Sequence, residues 1–500
     1  MSDPFYITTA INYPNGRPHI GHAYEAIAAD VIARFQRAQG RDVFFQTGTD
    51  EHGLKMAQAA RAEGILPIEM ADRMVSIFKE MDELLDISYD RFIRTTEPAH
   101  HAASQAIWRA MAAKGDLYLG RYEGWYSVRD EAFYEEGELT PGEGGERLSP
   151  QGTSVEWTVE ESWFFRLSAY QDRLLQMYAE RPDFIRPESR RNEVLRFVEG
   201  GLQDLSVSRT SFDWGVPVPD SPGHVMYVWL DALTNYITGV GYPDGGAEWE
   251  RYWPADVHLI GKDVVRFHAV YWPAFLMSAG IELPKQVFGH GHVLLRGEKM
   301  SKSAGNVVDP LQMARRFGTD ALRYFLMREI SFGQDGSYSD EAIVARCNAE
   351  LANSFGNLAQ RTFSMIVKNL DGVVPVRGED PADQMLLAEV RNAVATTRER
   401  FGSLDFSGGL EAWMGAVFAG NAYVDAQAPW ALRKTDSTRM AAVLGTLAAA
   451  VEQLTIAVAP VIPASAQRLL AYLEAGRDTG RIAAPQPLFP RLELEPAECP

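Results

Sequence analysis

Two short strings in this 500-residue chain combine residue types that could act on a nucleotide. The first is His19-Ile20-Gly21-His22. Two imidazoles three positions apart fall on one side of a helical turn, and the glycine lets a bulky ligand approach the backbone. At a helix start, the free N–H groups and the positive end of the macrodipole form a site for phosphate. By itself the string fits equally well two incidental histidines at a helix start. The second is Lys299-Met300-Ser301-Lys302-Ser303, between Arg296-Gly297-Glu298 and Ala304-Gly305-Asn306. Lysines and serine hydroxyls flanked by glycines suit a lid that grips a polyphosphate leaving group. A solvated basic loop is the other reading of such a run.

The elements that must hold these strings follow from patterning. Residues 5–11 are apolar and β-branched and read as a buried parallel strand. Asn12 to Pro18 is dense in turn formers. From His22 to Gln39, Ala26, Ile27, Val31, Ile32 and Phe35 recur at helical spacing, with Gly40 as a stop. Val43 to Thr47 is the next strand. This βαβ unit predicts an α/β, doubly wound, Rossmann-like sheet with ligands at the strand ends. Residues 113–224 lose that rhythm, with Gly/Pro/Glu-rich stretches such as Glu135–Gly152, and read as an insertion. Strand-like runs return at 225–231, 256–260 and 286–295. From about 340 the chain is Ala- and Leu-rich with helical periodicity; 441–459, closed by Pro460 and Pro463, is one such helix of a bundle.

Composition narrows the class. With 46% hydrophobic and 23% charged residues and a mean hydropathy of −0.20, the chain has ample apolar surface to fold. No run approaches the ~20 uninterrupted apolar residues of a membrane span, and the first residues show no secretory pattern. A cytoplasmic protein with no membrane partner is expected. Cys347 and Cys499 can build neither a disulfide framework nor a four-cysteine zinc site. A net charge of −19 excludes a generally basic surface, so any nucleic-acid contact must be local. His258, His290 and His292 invite a metal reading, but without a third nearby ligand they read as ordinary strand histidines and no metal site is expected.

The pairing of the two strings decides more than either does. His19–His22 in the first βαβ unit and Lys299–Ser303 about 280 residues later together resemble the signatures of class I aminoacyl-tRNA synthetases. Longer strings along almost the whole chain resemble methionyl-tRNA synthetases: ITTAINYPNGRPHIGHAYE, FFQTGTDEHG, SVSRTSFDWGVPVP, YVWLDALTNY, LIGKDVVRFHAVYWPAFL, VFGHGHVLLRGEKMSKSAGNVVDP, GTDALRYFLMRE and YVDAQAPW.

The resemblance implies a two-step reaction. Methionine attacks the α-phosphorus of ATP, carried with Mg²⁺, and the methionyl group of the adenylate then passes to the terminal ribose of tRNA(Met), initiator tRNA included. It places the methionine pocket at Ala10, Ile11, Tyr13, Trp229, Ala232, Leu233, Tyr236, Val264 and His268, and the α-ammonium at Asp50. Such a largely aromatic and apolar set suits a polarizable thioether. His19, Gly21, His22, Gly261, Asp263 and Lys302 fall at ATP-binding positions, with His19, His22, Arg209, Lys299 and Lys302 carrying the chemistry. Anticodon-reading positions fall at Asn357, Arg361 and Trp430. Asn and Arg at i and i+4 share a helix face and can reach base edges, and an indole can stack on an unstacked base. Each of the three is also an ordinary helix, surface or packing residue when taken alone. Arg315, Arg316, Arg323 and Arg328 fit either a tRNA-stem contact or a solvated helix face.

The implied organisation is a Rossmann-like catalytic domain over 1–112 and 225–293 and an inserted connective domain over 113–224. The lysine loop and stem-contact region cover 294–342, and a helical anticodon-binding domain covers 343–500. One departure stands out. Where many relatives carry a zinc knuckle with paired cysteines, this chain has Gly124 to Tyr134, with Ser127 at the place of a first cysteine, so no structural zinc is expected. A monomer is expected, since no further tRNA-binding or dimerising domain follows the bundle. Two other classes fit part of the pattern: an adenylyltransferase without tRNA, usually much shorter, and a non-catalytic tRNA-binding scaffold, which would need neither string. For a valine, isoleucine or leucine synthetase the insertion, about 110 residues, is too small for an editing domain.

Overall fold

The computed structural model describes residues 2–129, 132–142, 145–298 and 308–494. Lys299, Lys302 and Cys499 therefore lie outside the described residues. The chain divides into two compact units: Met1–Pro18, Gln36–Asp82 and Ser88–His290 form one, and His19–Phe35, Glu83–Ile87 and Gly291–Pro500 the other.

The first unit is built on a six-stranded parallel sheet. Its order is Arg91–Arg94, Asp42–Thr49, Pro4–Thr9, Val257–Gly261, Val287–His290 and Ile185–Arg186. The central strands are buried on both faces: Tyr6, Ile7, Phe45, Leu259, Ile260 and Val287 are fully enclosed. Each such side chain contributes about 1.5–3 kcal/mol through apolar burial, which explains why these strands read as continuous apolar runs. From Pro4–Thr9 the chain builds outward through Asp42–Thr49 to Arg91–Arg94, and later, on the other side, through Val257–Gly261 to Val287–His290. Winding reverses beside the first strand, the position at which an open α/β sheet leaves a crevice at its carboxyl ends.

The segment expected as an insertion is largely a separate antiparallel sheet, in which Leu117–Ser127 pairs with Glu156–Phe165 and is flanked by Ala132–Tyr134 and Leu205–Ser206. It also returns one strand, Ile185–Arg186, to the edge of the parallel sheet. In its hairpin region the Thr153 hydroxyl bonds those of Ser127 at 2.7 Å and Ser149 at 2.8 Å, and all three residues are buried.

Two expected strands resolve differently. The 225–231 run is a two-residue strand, Val225–Met226, followed by the helix Val228–Thr238. An unbroken apolar run carries no period, and here the buried residues continue around every face of the helix to Thr238. The 286–295 run breaks into Val287–His290 and Val293–Leu295, so His290 and His292 do not alternate along one strand. Val293–Leu295 pairs with Gly336–Tyr338, and a Cβ on Gly291 would lie 2.2 Å from the Gln334 carbonyl.

The second unit takes residues 20–35 of the helix Ile20–Ala38 together with the helical C-terminal region. Asp30 of that helix and Arg323 of the helix Thr319–Glu329 are fully buried and paired at 2.6 Å. Arg323 also donates to the carbonyls of Leu85, Pro460 and Val461 at 2.9–3.0 Å. Arg323 is therefore neither a stem contact nor part of a solvated face: its charge clamps three segments of the unit. Arg328 pairs with the buried Glu350 at 3.3 Å and Arg316 with Asp340, while Arg315 stays exposed. The bundle comprises Asn357–Leu370, Pro381–Gly402, Phe406–Gln427, Ser437–Val458 and Pro463–Thr479, joined by short connections. Ser437–Val458 is long and apolar enough to cross a bilayer by composition, but most of it is buried against the neighbouring helices.

Candidate active site

Three strand ends of the parallel sheet deliver the residues expected around methionine. After Pro4–Thr9 the chain stays paired on both sides: Ala10 N–H donates to the Leu259 carbonyl at 3.0 Å, and Asn12 N–H to that of Gly48 at 2.8 Å. Asp50 N–H in turn donates to the Asn12 carbonyl at 2.8 Å. Ala10, Ile11 and Tyr13 are thus held between the ends of Asp42–Thr49 and Val257–Gly261, with Asp50 alongside and only 8% exposed. The Tyr13 hydroxyl accepts from Met56 N–H at 3.2 Å. Gly261 ends its strand, and Asp263, exposed, sits in the turn of helix that follows.

Trp229, Ala232, Leu233 and Tyr236 lie at i, i+3, i+4 and i+7 of the helix Val228–Thr238 and share one face. The Trp229 ring stacks on Phe267 at 3.9 Å and meets His268 edge-on at 6.1 Å. Its indole N–H has no acceptor among the described residues. His268 sits in a widened helical stretch, Phe267–Tyr271, a local geometry often found at functional positions. Its Nδ1–H donates to the Val264 carbonyl at 2.9 Å, so Nε2 must accept from the Tyr236 hydroxyl at 2.7 Å. Burial lowers the His268 pKa to about 4, partly offset by the bond to Val264, and the ring is neutral at physiological pH. The wall therefore carries a fully bonded hydroxyl–imidazole pair and no charge. Behind it, His258 stacks on Tyr236 at 4.1 Å and uses both ring nitrogens, toward Thr8 at 2.8 Å and the Trp272 indole at 3.3 Å.

In the second unit, His19 and His22 open the helix Ile20–Ala38 with their rings 3.8 Å apart. His22 Nδ1 accepts from His19 N–H at 3.0 Å and His19 Nδ1 from Gly21 N–H at 3.1 Å. Each ring is thereby fixed with Nδ1 as acceptor and Nε2 as the N–H. A Cβ on Gly21 would lie 2.9 Å from the His19 ring, so a larger residue there would have to displace that ring. Val308, the first described residue after the lysine string, accepts from Ile20 N–H at 3.0 Å. The chain leaving the lysine string is therefore tied to the histidine string across almost 290 residues of sequence.

Elsewhere in the same unit, the Arg361 guanidinium lies 5.6 Å over the Trp430 ring and pairs with Asp425 at 3.0 Å. Trp430 is 49% exposed, and Asn357 is exposed one turn before Arg361 on the same helix. Ala428, at φ 43°, ends the helix Phe406–Gln427 and Pro429 starts the next, which fixes the place of Trp430.

Comparison with known proteins agrees with this geometry. The family model of class I tRNA synthetases of the methionyl type matches residues 5–143 and 146–363, and that of the anticodon-binding domain of methionyl-tRNA ligase matches 374–486. The chain belongs to the methionyl-tRNA synthetase family. The methionine–tRNA ligase of Brucella suis is 57% identical over 98% of both chains, and that of Mycobacterium tuberculosis 56% over 94% of this chain and 92% of that one. The structure of the M. tuberculosis synthetase in complex with methionyl-adenylate superposes with a TM-score of 0.95 at 54% identity, covering 98% of this chain and 100% of that one. Its free form gives 0.88 at 49% identity, with 99% of both chains covered.

Not every residue carried over from the synthetase resemblance stands in an open cleft. Arg209, expected at the phosphates, is 2% exposed: its guanidinium lies over Tyr227 at 4.6 Å and Tyr126 at 5.4 Å and bonds Ser206 and the Ser208 carbonyl. Sequence reasoning missed the polar layer behind the synthetase pocket, His52, His100 and Asp231. Its only trace was the histidine of Thr-Asp-Glu-His-Gly and the aspartate of Trp-Leu-Asp-Ala, neither of which has a spacing that marks a partner.

Proposed function

We propose that the chain ligates methionine to tRNA(Met) through the residues assembled above. The methionine carboxylate attacks the α-phosphorus of Mg-ATP, forming methionyl-adenylate and releasing pyrophosphate; the tRNA terminal ribose hydroxyl then takes the methionyl group and releases AMP. The observation that carries this reading is the neutral Tyr236–His268 pair in an apolar helical wall, together with the buried Asp50 just past the end of the strand Asp42–Thr49. An uncharged, polarizable lining suits a thioether, and a carboxylate suits the α-ammonium through a charge-assisted bond. Ala10, Ile11, Tyr13, Trp229, Ala232, Leu233 and Val264 complete the lining.

A carboxylate nucleophile is already ionised, so the first step needs no general base; positioning and charge stabilisation carry it. The Nε2–H groups of His19 and His22 are donors for the phosphates, with Gly21, Gly261 and Asp263 along the nucleotide. Lys299 and Lys302 supply the cations for the leaving pyrophosphate. Asn357, Arg361 and Trp430 read the anticodon, of initiator tRNA as of elongator: the exposed indole offers a stacking face and the guanidinium beside it hydrogen bonds.

No structural zinc is part of this reading. Structural zinc is held by thiolates and imidazoles, whereas Ser127, at the place of a first cysteine, offers a hydroxyl, bonded to that of Thr153 at 2.7 Å. Stoichiometric zinc in metal analysis would refute it. A free, buried Cys347 fits a reducing, cytoplasmic setting, and a monomer is the proposed state, checked by light scattering. The test of function is ATP–pyrophosphate exchange with each of the twenty amino acids in turn. Exchange with methionine far above the others is expected; strong exchange with another amino acid would overturn the pocket assignment.

A further inference from the structure

Behind the pocket lies a buried polar array that none of the roles above uses. Asp231, fully enclosed in the helix Val228–Thr238, meets His52 Nδ1 with one carboxylate oxygen at 2.6 Å and His100 Nε2 with the other at 2.7 Å. Both histidines are themselves buried. The two partners hold the Asp231 carboxyl well below the usual carboxylate range, although burial alone would raise it. An ionised carboxylate only accepts hydrogen bonds, so both histidines must present an N–H to it. His100, in the helix Pro98–Ala113, is further set by Thr238 at 3.2 Å and Ser104 at 3.3 Å.

The position of the array suggests its purpose. His52 is two residues after Asp50, and Asp231 lies between Trp229 and Ala232. The Asp50 loop is anchored on its other side too: Glu51 pairs with Arg94 at 2.7 Å, and its carbonyl accepts from the Trp214 indole at 2.6 Å. A direct link between that loop and the pocket helix is His52–Asp231. We propose that His52, Asp231 and His100 are positioning residues for methionine. By tying the loop that carries Asp50 to the helix that carries Trp229, Ala232, Leu233 and Tyr236, they fix the spacing between the ammonium-binding and thioether-binding ends of the pocket. A substrate gripped at both ends gains from that fixed spacing, because misplacing either end forfeits part of the binding energy. The proposal rests on the methionine reading of the pocket.

The test separates hydrogen bonding from ring volume. In His52→Asn the amide nitrogen replaces Nδ1–H but the ring is lost; in His52→Phe the ring is kept but the donor is lost. At His100, Gln retains a donor in place of Nε2–H while Leu, with no ring either, has none, and Asp231→Asn keeps the volume while offering one histidine a donor instead of an acceptor. In pyrophosphate exchange, His52→Phe, His100→Leu and Asp231→Asn should raise the KM for methionine by ~10-fold or more. His52→Asn and His100→Gln should stay within ~3-fold of the parent, and the KM for ATP within ~2-fold throughout. Equal rises for methionine and ATP, or donor-retaining variants as impaired as donor-lacking ones, would overturn the proposal. Failure of the donor-lacking variants and Asp231→Asn to fold would overturn it too, since the array would then serve stability alone. The parent protein is assayed alongside, so failure of the methionine reading shows in the parent and failure of this proposal only in the ordering of the variants.

Discussion

The proposed methionine pocket and the proposed anticodon-reading surface are built in opposite ways. Around the pocket several buried polar groups are already bonded to one another: Tyr236 to His268, His268 to Val264, Asp231 to two histidines. At the bundle surface Trp430 and Asn357 are exposed, and Arg361 is held by a single ion pair and a ring face. A small ligand offers few contacts, so its site must be shaped before it arrives; every buried polar atom left unpaired would cost about 1–3 kcal/mol. An RNA loop brings phosphates and bases of its own, and exposed side chains can close on it at little cost.

The sharpest way to break the comparison is Asp50→Asn. Removing the charge from a buried position facing an ammonium should lower kcat/KM for methionine in pyrophosphate exchange by about 100- to 1000-fold, with ATP binding nearly unchanged. A second break of comparable size is Asp30→Ala, which strands the Arg323 charge in the second unit. It should cost about 3–5 kcal/mol in urea unfolding and lower all activities together, which distinguishes a clamp from a recognition residue. Trp430→Ala should lower kcat/KM for tRNA charging by about 10- to 100-fold, in line with ~1–3 kcal/mol for one stacked base, and leave pyrophosphate exchange untouched. If exchange falls as well, the bundle surface is not an independent recognition site.

The smallest effect sharpens the comparison through pH. His268 has a folded pKa of about 4 against an ordinary 6.5, because burial disfavours the cation. The unfolded chain takes up the proton first, so stability from this group is fully present above about pH 6.5 and is lost as pH falls toward 4, by at most about 3 kcal/mol. His268→Gln should flatten the acid limb of a thermal-stability profile between these values. Trp430→Ala, which removes no titrating group, should leave that limb as it is.

Legibility in the sequence followed the same division. The strings His19–His22 and Lys299–Ser303, the first βαβ unit and the bundle were readable because their chemistry or period is local. The 225–231 run was misassigned because an apolar stretch buried on every side has no period to read. Arg323 passed for a surface residue because its partner Asp30 lies 293 positions away. The Asp231 array was invisible for the same reason: its hydrogen bonds span 179 and 131 residues, with nothing in between to mark them.

The sequence by itself determined the reaction class and the open α/β sheet with its crevice at the strand ends, since these rest on short motifs and on patterning along a few residues. Only the tertiary structure decided which charges are buried, which tautomer each histidine holds and which pairs fix the pocket. Those depend on desolvation and on partners that meet only when distant segments fold together, and no local pattern along the chain encodes either.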